Sequence, residues 1–456
     1  MTSQDSAAAP ASASQAEQEV ARLCSELIQI DTSNAGDDAG PGERGAAEYV
    51  AEKLAEVGLA PTMVEPAPRR TSVVARLAGA DPGRDALLIH CHLDVVPAVP
   101  SDWTVHPFSG EVRDGFVWGR GAVDMKNMCA ITLAVMRQWL REGCTPPRDV
   151  VVAFVADEEH SGALGAGHLV QRRPELLDGC TEAIGEGGGF SVHAVRADGA
   201  PVRLYPVGIA QRGTAWLKLT AHGAAGHGSR RHPDNAVTQL AGALARIGAH
   251  EWPVRLTEPV RDFLREAGSA LGVERDLVAL AESTGDLDAV LAELGPAAVL
   301  AEQVLRHSAN PTMFDAGYKV NVIPAAATGY LDGRMLPGYE EEFLAVIDRL
   351  SGPGLTREFV SHQPAVAAPY SGPVVSAIRT ALAAEDPGAR PVPFCSAGGN
   401  DGKWFSRLGM ATYGFAPLRL LPGLNYSAMF HGVDERINVS ALQFGVRVLA
   451  RLLAAA

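Results

Sequence analysis

The segment beginning at Val150, VVVAFVADEEHSG, restricts the possible folds more than any other stretch of the chain. Seven uncharged and mostly β-branched residues, Val150 to Ala156, have the character of a strand covered on both faces, as in a parallel sheet. The run then ends abruptly in Asp157, Glu158 and Glu159. Three adjacent carboxylates repel one another, and an unpaired buried one costs several kcal/mol. A cationic partner is therefore expected at this strand end.

Composition narrows what that partner serves. With 39 Lys and Arg against 53 Asp and Glu, the formal net charge is -14, and no basic run is present. Nucleic acid and anionic membrane surfaces are poor partners for such a chain. No apolar run approaches the ~20 residues that span a bilayer, so no membrane role is expected. The six cysteines show no C-x-x-C spacing, which suits a reducing cytoplasm better than a disulfide framework. The opening MTSQDSAAAPASASQ lacks a basic and an apolar region, so it does not read as a signal peptide. Residues 1–16 read as a disordered tail before a first helix near Glu17.

From about residue 17 to 208, helices and apolar strands alternate, as in an α/β layer fold with a mostly parallel sheet. GERGAAEYVAEKLAEVG and MCAITLAVMRQWLREG read as helices; SVVARLAG and ALLIHCHLDVV read as strands. The pattern changes after Gln211. RGTAWLKLTAHG alternates apolar and polar residues, NAVTQLAGALARIGAH is helical, and MFDAGYKVNVIPAAATGYLDGRM holds two strands. YEEEFLAVIDRLSG is a helix and LTREFVSHQ a last strand, which completes a β-α-β-β-α-β order of ferredoxin-like type. Residues 250–310 form an extra helical insertion, mostly surface-bound, within it. The expected organisation is thus a first domain of residues 17–208 and 368–456, interrupted by a second over 209–367.

Five places set metal-ligand side chains at strand ends or tight turns: His92 with Asp94 in HCHLDVVP, Asp124 in WGRGAVDMKNM, the Asp157–Glu159 run, Glu186 in AIGEGGGF, and His431 in FHGVDERI. The carboxyl ends of strands are where a doubly wound sheet gathers its functional groups. Each feature alone has an ordinary explanation, such as a helix cap for Asp124. Together, two imidazoles and several carboxylates suit zinc or a similar divalent ion. The number of donors fits two ions about 3.5–4 Å apart that share one carboxylate.

In this order, HLDVVP, W-x-x-x-PFSG, WGRGAVDMK, ADEE, GEGG and HGVDERI resemble the M20 family of dinuclear zinc metallopeptidases and amidohydrolases. The resemblance covers nearly the whole chain. It implies a phosphorylase/hydrolase-like zinc-peptidase catalytic domain and an inserted ferredoxin-like lid and dimerisation domain. It implies that His92, Asp124 and Glu186 hold one ion, and that Asp124 bridges to a second held by Glu159 and His431. Glu158 becomes the general base, Asp94 orients the His92 ring, and the peptide bond after Asp124 is cis. Zinc is the implied metal, with cobalt or manganese as substitutes.

The same resemblance extends to substrate and partner. His227, in TAHGAAGHGS, is implied to reach a catalytic centre as oxyanion donor, in many members that of the other subunit of a homodimer. Arg334 in YLDGRMLPG is implied to clamp a substrate carboxylate, for which a guanidinium fork is suited. Asn321 in KVNVIP and the loop Ser396–Asp401, with Gly399 at its centre, are implied to line the same pocket. The implied substrate is a small peptide or an N-acyl amino acid with a free carboxylate. An acetylornithine or succinyl-diaminopimelate type of deacylase, and a metal-binding relative without turnover, are the alternatives. Lys126 and His90 are assigned no metal role.

Overall fold

The structure, a computed structural model, describes residues 13–36 and 40–456. Residues 1–12 of the expected tail lie outside the described residues. The chain forms two compact units, one of Met1–Cys180, Ser376–Glu385 and Pro417–Ala456, the other of Thr181–Val375 and Asp386–Ala416.

In the first unit four strands lie in the order Thr62–Ala67, Arg70–Leu77, Val150–Val155, Ala86–His92. The first three are antiparallel neighbours, whereas Ala86–His92 runs parallel to Val150–Val155, with His92 opposite Val155. All six residues of Val150–Val155 are buried, as an uninterrupted apolar run requires. The parallel pairing puts the His92 end and the acidic end at one sheet edge. Helices Gln15–Gln29, Lys126–Glu142 and Val439–Ala455 pack on one another. Ser14 and Glu17 close a capping box at the start of the first, so this helix begins two residues before the expected Glu17. A small sheet joins Arg436–Asn438 to Phe116–Trp118, which ties the HGVDERI segment beside the WGRGAVD segment.

In the second unit Cys180–Gly185 runs parallel to Ala411–Gly414, and Ala389–Ser396 runs parallel to Pro201–Gln211. The helical insertion lies against these strands. Val260, Phe263, Leu264, Ala267 and Leu271, at helical spacing on Glu258–Leu271, share a core with Leu204, Val392 and Cys395. The insertion therefore buries a face of its own as well as presenting a surface.

The same unit holds an antiparallel sheet in the order Ser308–Ala316, Ala326–Met335, Gly213–His222, Leu355–Gln363. Numbered along the chain these are strands 2-3-1-4, and with helices Ala236–Gly248 and Glu340–Ser351 they make the ferredoxin-like arrangement. Ala215, Leu217, Leu219 and Ala221 alternate inward onto Leu240, Ile247, Phe343 and Ile347. Trp252 stacks on Phe343 at 4.9 Å between ring centroids. The strand at Ser308 begins five residues earlier than MFDAGYKVN suggests. Pro311 and a register irregularity before Met313 hide its start in the sequence.

Candidate metal centre

The acidic end of Val150–Val155 separates its three carboxylates by function. Asp157 adopts a left-handed conformation, φ 69°. Its carboxylate accepts from the Ser161 hydroxyl at 3.0 Å and the Leu164 amide at 3.1 Å, so it closes the turn after the strand. Glu159 turns into the site, where its side chain faces His431. Glu158 is half-buried beside it. Gly165 lets the returning chain cross the strand end, because a Cβ there would meet the Ala156 carbonyl at 1.8 Å.

Asp94 is the organiser of this edge. Its carboxylate accepts from the Glu158 amide at 3.1 Å, the Glu159 amide at 3.0 Å and Asn34 Nδ2 at 2.9 Å. Burial alone would raise its pKa, but His92, Asn34 and the Glu159 amide hold it below the usual carboxylate range. The His92 Nδ1 lies 2.9 Å from the Asp94 main-chain carbonyl and 3.6 Å from its carboxylate. A proton on Nδ1 donated to that carbonyl leaves Nε2 as the ligating nitrogen.

The His92 Nε2 sits 3.1 Å from Asp124 Oδ1, and His431 Nε2 sits 3.3 Å from Asp124 Oδ2. His431 Nε2 is also 3.1 Å from Glu159 Oε2. Each oxygen of Asp124 thus faces a different imidazole, which is the disposition a shared carboxylate needs. Asp124, Glu159 and His431 offer ligand atoms all within 4.8 Å of one another. Donors about 2.1 Å from a tetrahedral zinc ion lie about 3.4 Å apart, close to these separations. Glu159 Oε1 is buried and has no hydrogen-bond partner among the described residues. That orphaned oxygen, in a cluster of N and O donors, fits a divalent cation.

The electrostatics agree. Burial and then the charge of Asp124 push the Glu159 carboxyl up to about 7. Hydrogen bonds to Asp124 and Glu159 push the His431 imidazole up to about 10. Burial opposes ionisation of Asp124, but His431 and His92 hold its carboxyl well below the usual range. A proton on His431 does here what a cation would do. The peptide bond between Asp124 and Met125 is cis, as the resemblance implies.

Lys126 points away from this chemistry. Fully buried, it donates to the carbonyls of Leu27 at 3.0 Å and Ile30 at 2.8 Å, capping the first helix, and burial brings its ammonium down to about 8. His90 is buried in the core, where desolvation pulls its pKa down to about 3.

Glu186, His227, Asn321, Arg334 and Gly399 belong to the second unit. Glu186 follows the strand Cys180–Gly185, and its carbonyl accepts from Asn400 Nδ2 at 3.2 Å. The next glycines are there for close approach: a Cβ on Gly188 would meet the Gly414 carbonyl at 2.4 Å. His227 and Asn321 are brought together, since Gly226–His227 pairs with Val322–Ile323 and the Gly228 amide donates to the Asn321 carbonyl. His227 is exposed, and its Nδ1 accepts from the Ser229 amide at 3.2 Å, which places the ring proton on Nε2 in the neutral form. Arg334 is gripped on two nitrogens by Asp332, at 2.7 and 3.1 Å. Gly399 lies in an open loop held by the Asn400 amide on Gln211 Oε1 at 2.8 Å.

Four residues of this framework are not picked out by sequence reasoning. Asn34 links Asp94 to Arg70, whose guanidinium donates to Asn34 Oδ1 at 3.1 Å and pairs with the buried Glu43 at 2.7 Å. Arg120 and Glu435 form a second buried pair at 2.8 Å beside Asp124. WGRG and DERI carry the last two in plain view, and only their apposition reveals the pairing.

Comparison with known proteins places this geometry. Residues 88–455 match the model of peptidase family M20/M25/M40. The chain is 28% identical over 427 residues to aminoacylase-1 of Sus scrofa, covering 90% of this chain and 89% of that protein. It is 27% identical over 385 residues to the N-fatty-acyl-amino acid synthase/hydrolase PM20D1 of Xenopus tropicalis, covering 83% and 74%. Its fold is that of the M20 family metallo-carboxypeptidase Sso-CP2 from Sulfolobus solfataricus, with a TM-score of 0.69 at 19% identity over 96% of this chain and 99% of that one. The ordered motifs and the matched span give one result: the chain belongs to peptidase family M20/M25/M40.

Proposed function

We propose that this protein is a two-metal hydrolase that cleaves the amide bond of an N-acyl amino acid or small peptide carrying a free carboxylate. The observation that carries the reading is the Asp124 carboxylate, set between two imidazoles with the orphaned Glu159 oxygen beside it. By the family resemblance His92, Asp124 and Glu186 would hold one ion, and Asp124, Glu159 and His431, whose ligand atoms gather within 4.8 Å, would hold the other. Zinc suits these N and O donors, and cobalt or manganese can replace it. When bound, such a pair supplies Lewis acidity to the amide carbonyl and lowers the pKa of a water toward about 7.

The residues of the chain then divide the work. Glu158 takes the proton of the attacking water and returns it to the departing nitrogen. Asp94 holds the main chain of Glu158 and Glu159, so base and ligand keep a fixed separation. His227, donating from Nε2, stabilises the charge that grows on the carbonyl oxygen. Arg334 meets the substrate carboxylate, with Asn321 and the Gly399 loop beside it. Residues 17–208 and 368–456 serve as the catalytic domain, and 209–367 as the lid. The names of aminoacylase-1 and PM20D1 favour N-acyl amino acids within the substrate class.

The six cysteines, all unpaired, suit a cytoplasmic setting, and no helix among the described residues is long and apolar enough to cross a membrane. A second copy of the chain is the partner that His227 acting in trans requires. Light scattering is expected to give the mass of a dimer; a fully active monomer would end the trans assignment. The activity itself is tested with a panel of N-acetyl amino acids and dipeptides, read by mass spectrometry. Hydrolysis is expected with zinc or cobalt, to stop with chelator and to return when the ion is restored. Stoichiometric metal with no amide cleaved would overturn the reading.

A further inference from the structure

The two histidines of the centre are held in different ways. His92 has its Nδ1 fixed by the Asp94 carbonyl. The Nδ1 of His431 has no hydrogen-bond partner among the described residues, and its side chain is 55% exposed. Its position must come from the backbone of its loop, which is itself unusual. Both His431 and Asp434 have φ 56°, in the left-handed region, and a Cβ on Gly432 would meet the Ala428 carbonyl at 2.4 Å. Something has to hold this loop in shape.

Glu435 is placed to do so. Its carboxylate is completely buried, a costly position unless every oxygen is satisfied. Oε1 accepts from the Val123 amide at 2.6 Å and the Asp124 amide at 3.0 Å, and Oε2 accepts from Arg120 Nη1 at 2.8 Å. Arg120 Nη2 in turn donates to the Gly432 carbonyl at 2.9 Å, next to His431. The Glu435 carbonyl accepts from the Gly119 amide at 2.9 Å. Asp434 anchors the other side, accepting from the Thr104 amide and hydroxyl, both at 2.7 Å. These contacts join residues more than 300 positions apart.

We propose that Glu435 is the positioning residue of the second metal site: one buried carboxylate fixes the main chain of Asp124 and, through Arg120, the loop that carries His431. Asp434 with Thr104 steadies the same loop from outside. None of these groups belongs to the candidate ligand sets, so their loss acts on where ligands stand. This inference rests on the two-metal reading above and deepens it.

The test is zinc stoichiometry and affinity by equilibrium dialysis against a metal buffer, with kcat and KM measured on the same protein. Wild type is expected to bind two ions. Glu435→Gln keeps the shape of the side chain but replaces one acceptor with a donor that faces Arg120 or the two amides. It is expected to bind both ions more weakly, because Asp124 serves both, with the larger loss, about 10–100-fold, at the second ion, whose His431 loop is released as well. Its kcat falls with KM little changed, and excess zinc restores part of it. Thr104→Val, a milder change that keeps the fold where Glu435→Gln does not, is expected to weaken the second ion alone by a few-fold. Folded Glu435→Gln that binds both ions as wild type does overturns the inference, and if that variant does not fold, so does unchanged second-ion affinity in Thr104→Val. A wild type that binds no ion would instead sink the two-metal reading itself.

Discussion

Replacing Glu158 with Gln is expected to leave two metal ions bound and to slow turnover by at least about 100-fold, within the 10²–10⁴ range of general-base catalysis. The reason lies in the division among Asp157, Glu158 and Glu159. Asp157 is spent on the turn, with Ser161 and Leu164 on its carboxylate. Glu159 faces His431 and belongs to the ligand cluster. Glu158 holds none of these posts, and its amide is fixed by Asp94 at 3.1 Å whatever side chain it bears. A glutamine there is nearly isosteric but cannot accept a proton from water at neutral pH. Metal content by elemental analysis and kcat on an N-acetyl amino acid decide the matter together. Turnover within about 10-fold of wild type, with metal retained, would remove Glu158 from the role of base. Glu159→Gln is the contrast, because it should lose the second ion rather than the proton acceptor.

Much of this site is legible in the order of the amino acids alone, for a physical reason. Polar residues that interrupt apolar strands or follow glycines are the candidates for metal ligands in an α/β sheet, so His92, Glu159 and Glu186 stand out against their surroundings. The ferredoxin-like segment is equally legible, because the alternation in Gly213–His222 and Ala326–Met335 survives in the burial of those strands. The start of the strand at Ser308 is not, since Pro311 and outward-facing residues blur its period. Asn34, Arg70, Arg120 and Glu435 escape for a different reason. Their work is hydrogen bonding to main chain or to another side chain far along the sequence, as Glu435 does 311 residues from Asp124. A buried acid of that kind has no local pattern, and only the fold supplies its partners.

Asp124→Asn is expected to remove both ions at once, whereas His431→Ala removes one. Asp124 offers one oxygen to each imidazole, so its charge serves both halves of the centre. The amide keeps the shape, and the Asp124 main chain stays on Glu435, so the variant should fold. Activity should fall below about 1% of wild type, consistent with loss of a nucleophile-generating metal site. Thermal melting gives an independent reading. A ligand at about 1,000 times its Kd adds about 4 kcal/mol to the native state, so zinc should raise the wild-type melting temperature and leave Asp124→Asn where chelated wild type stands. The sign of the pH dependence follows from His431. Without metal its folded pKa is raised to about 10, so the protonated imidazole stabilises the apo protein below its unfolded pKa near 6.5, and that contribution is lost as pH rises through 10. Metal requires the neutral imidazole. The zinc-induced rise in melting temperature should therefore grow between pH 6 and 9 in wild type and be absent throughout in Asp124→Asn. A variant that still melts higher with zinc, and still binds two ions, would show that the two cations do not depend on Asp124.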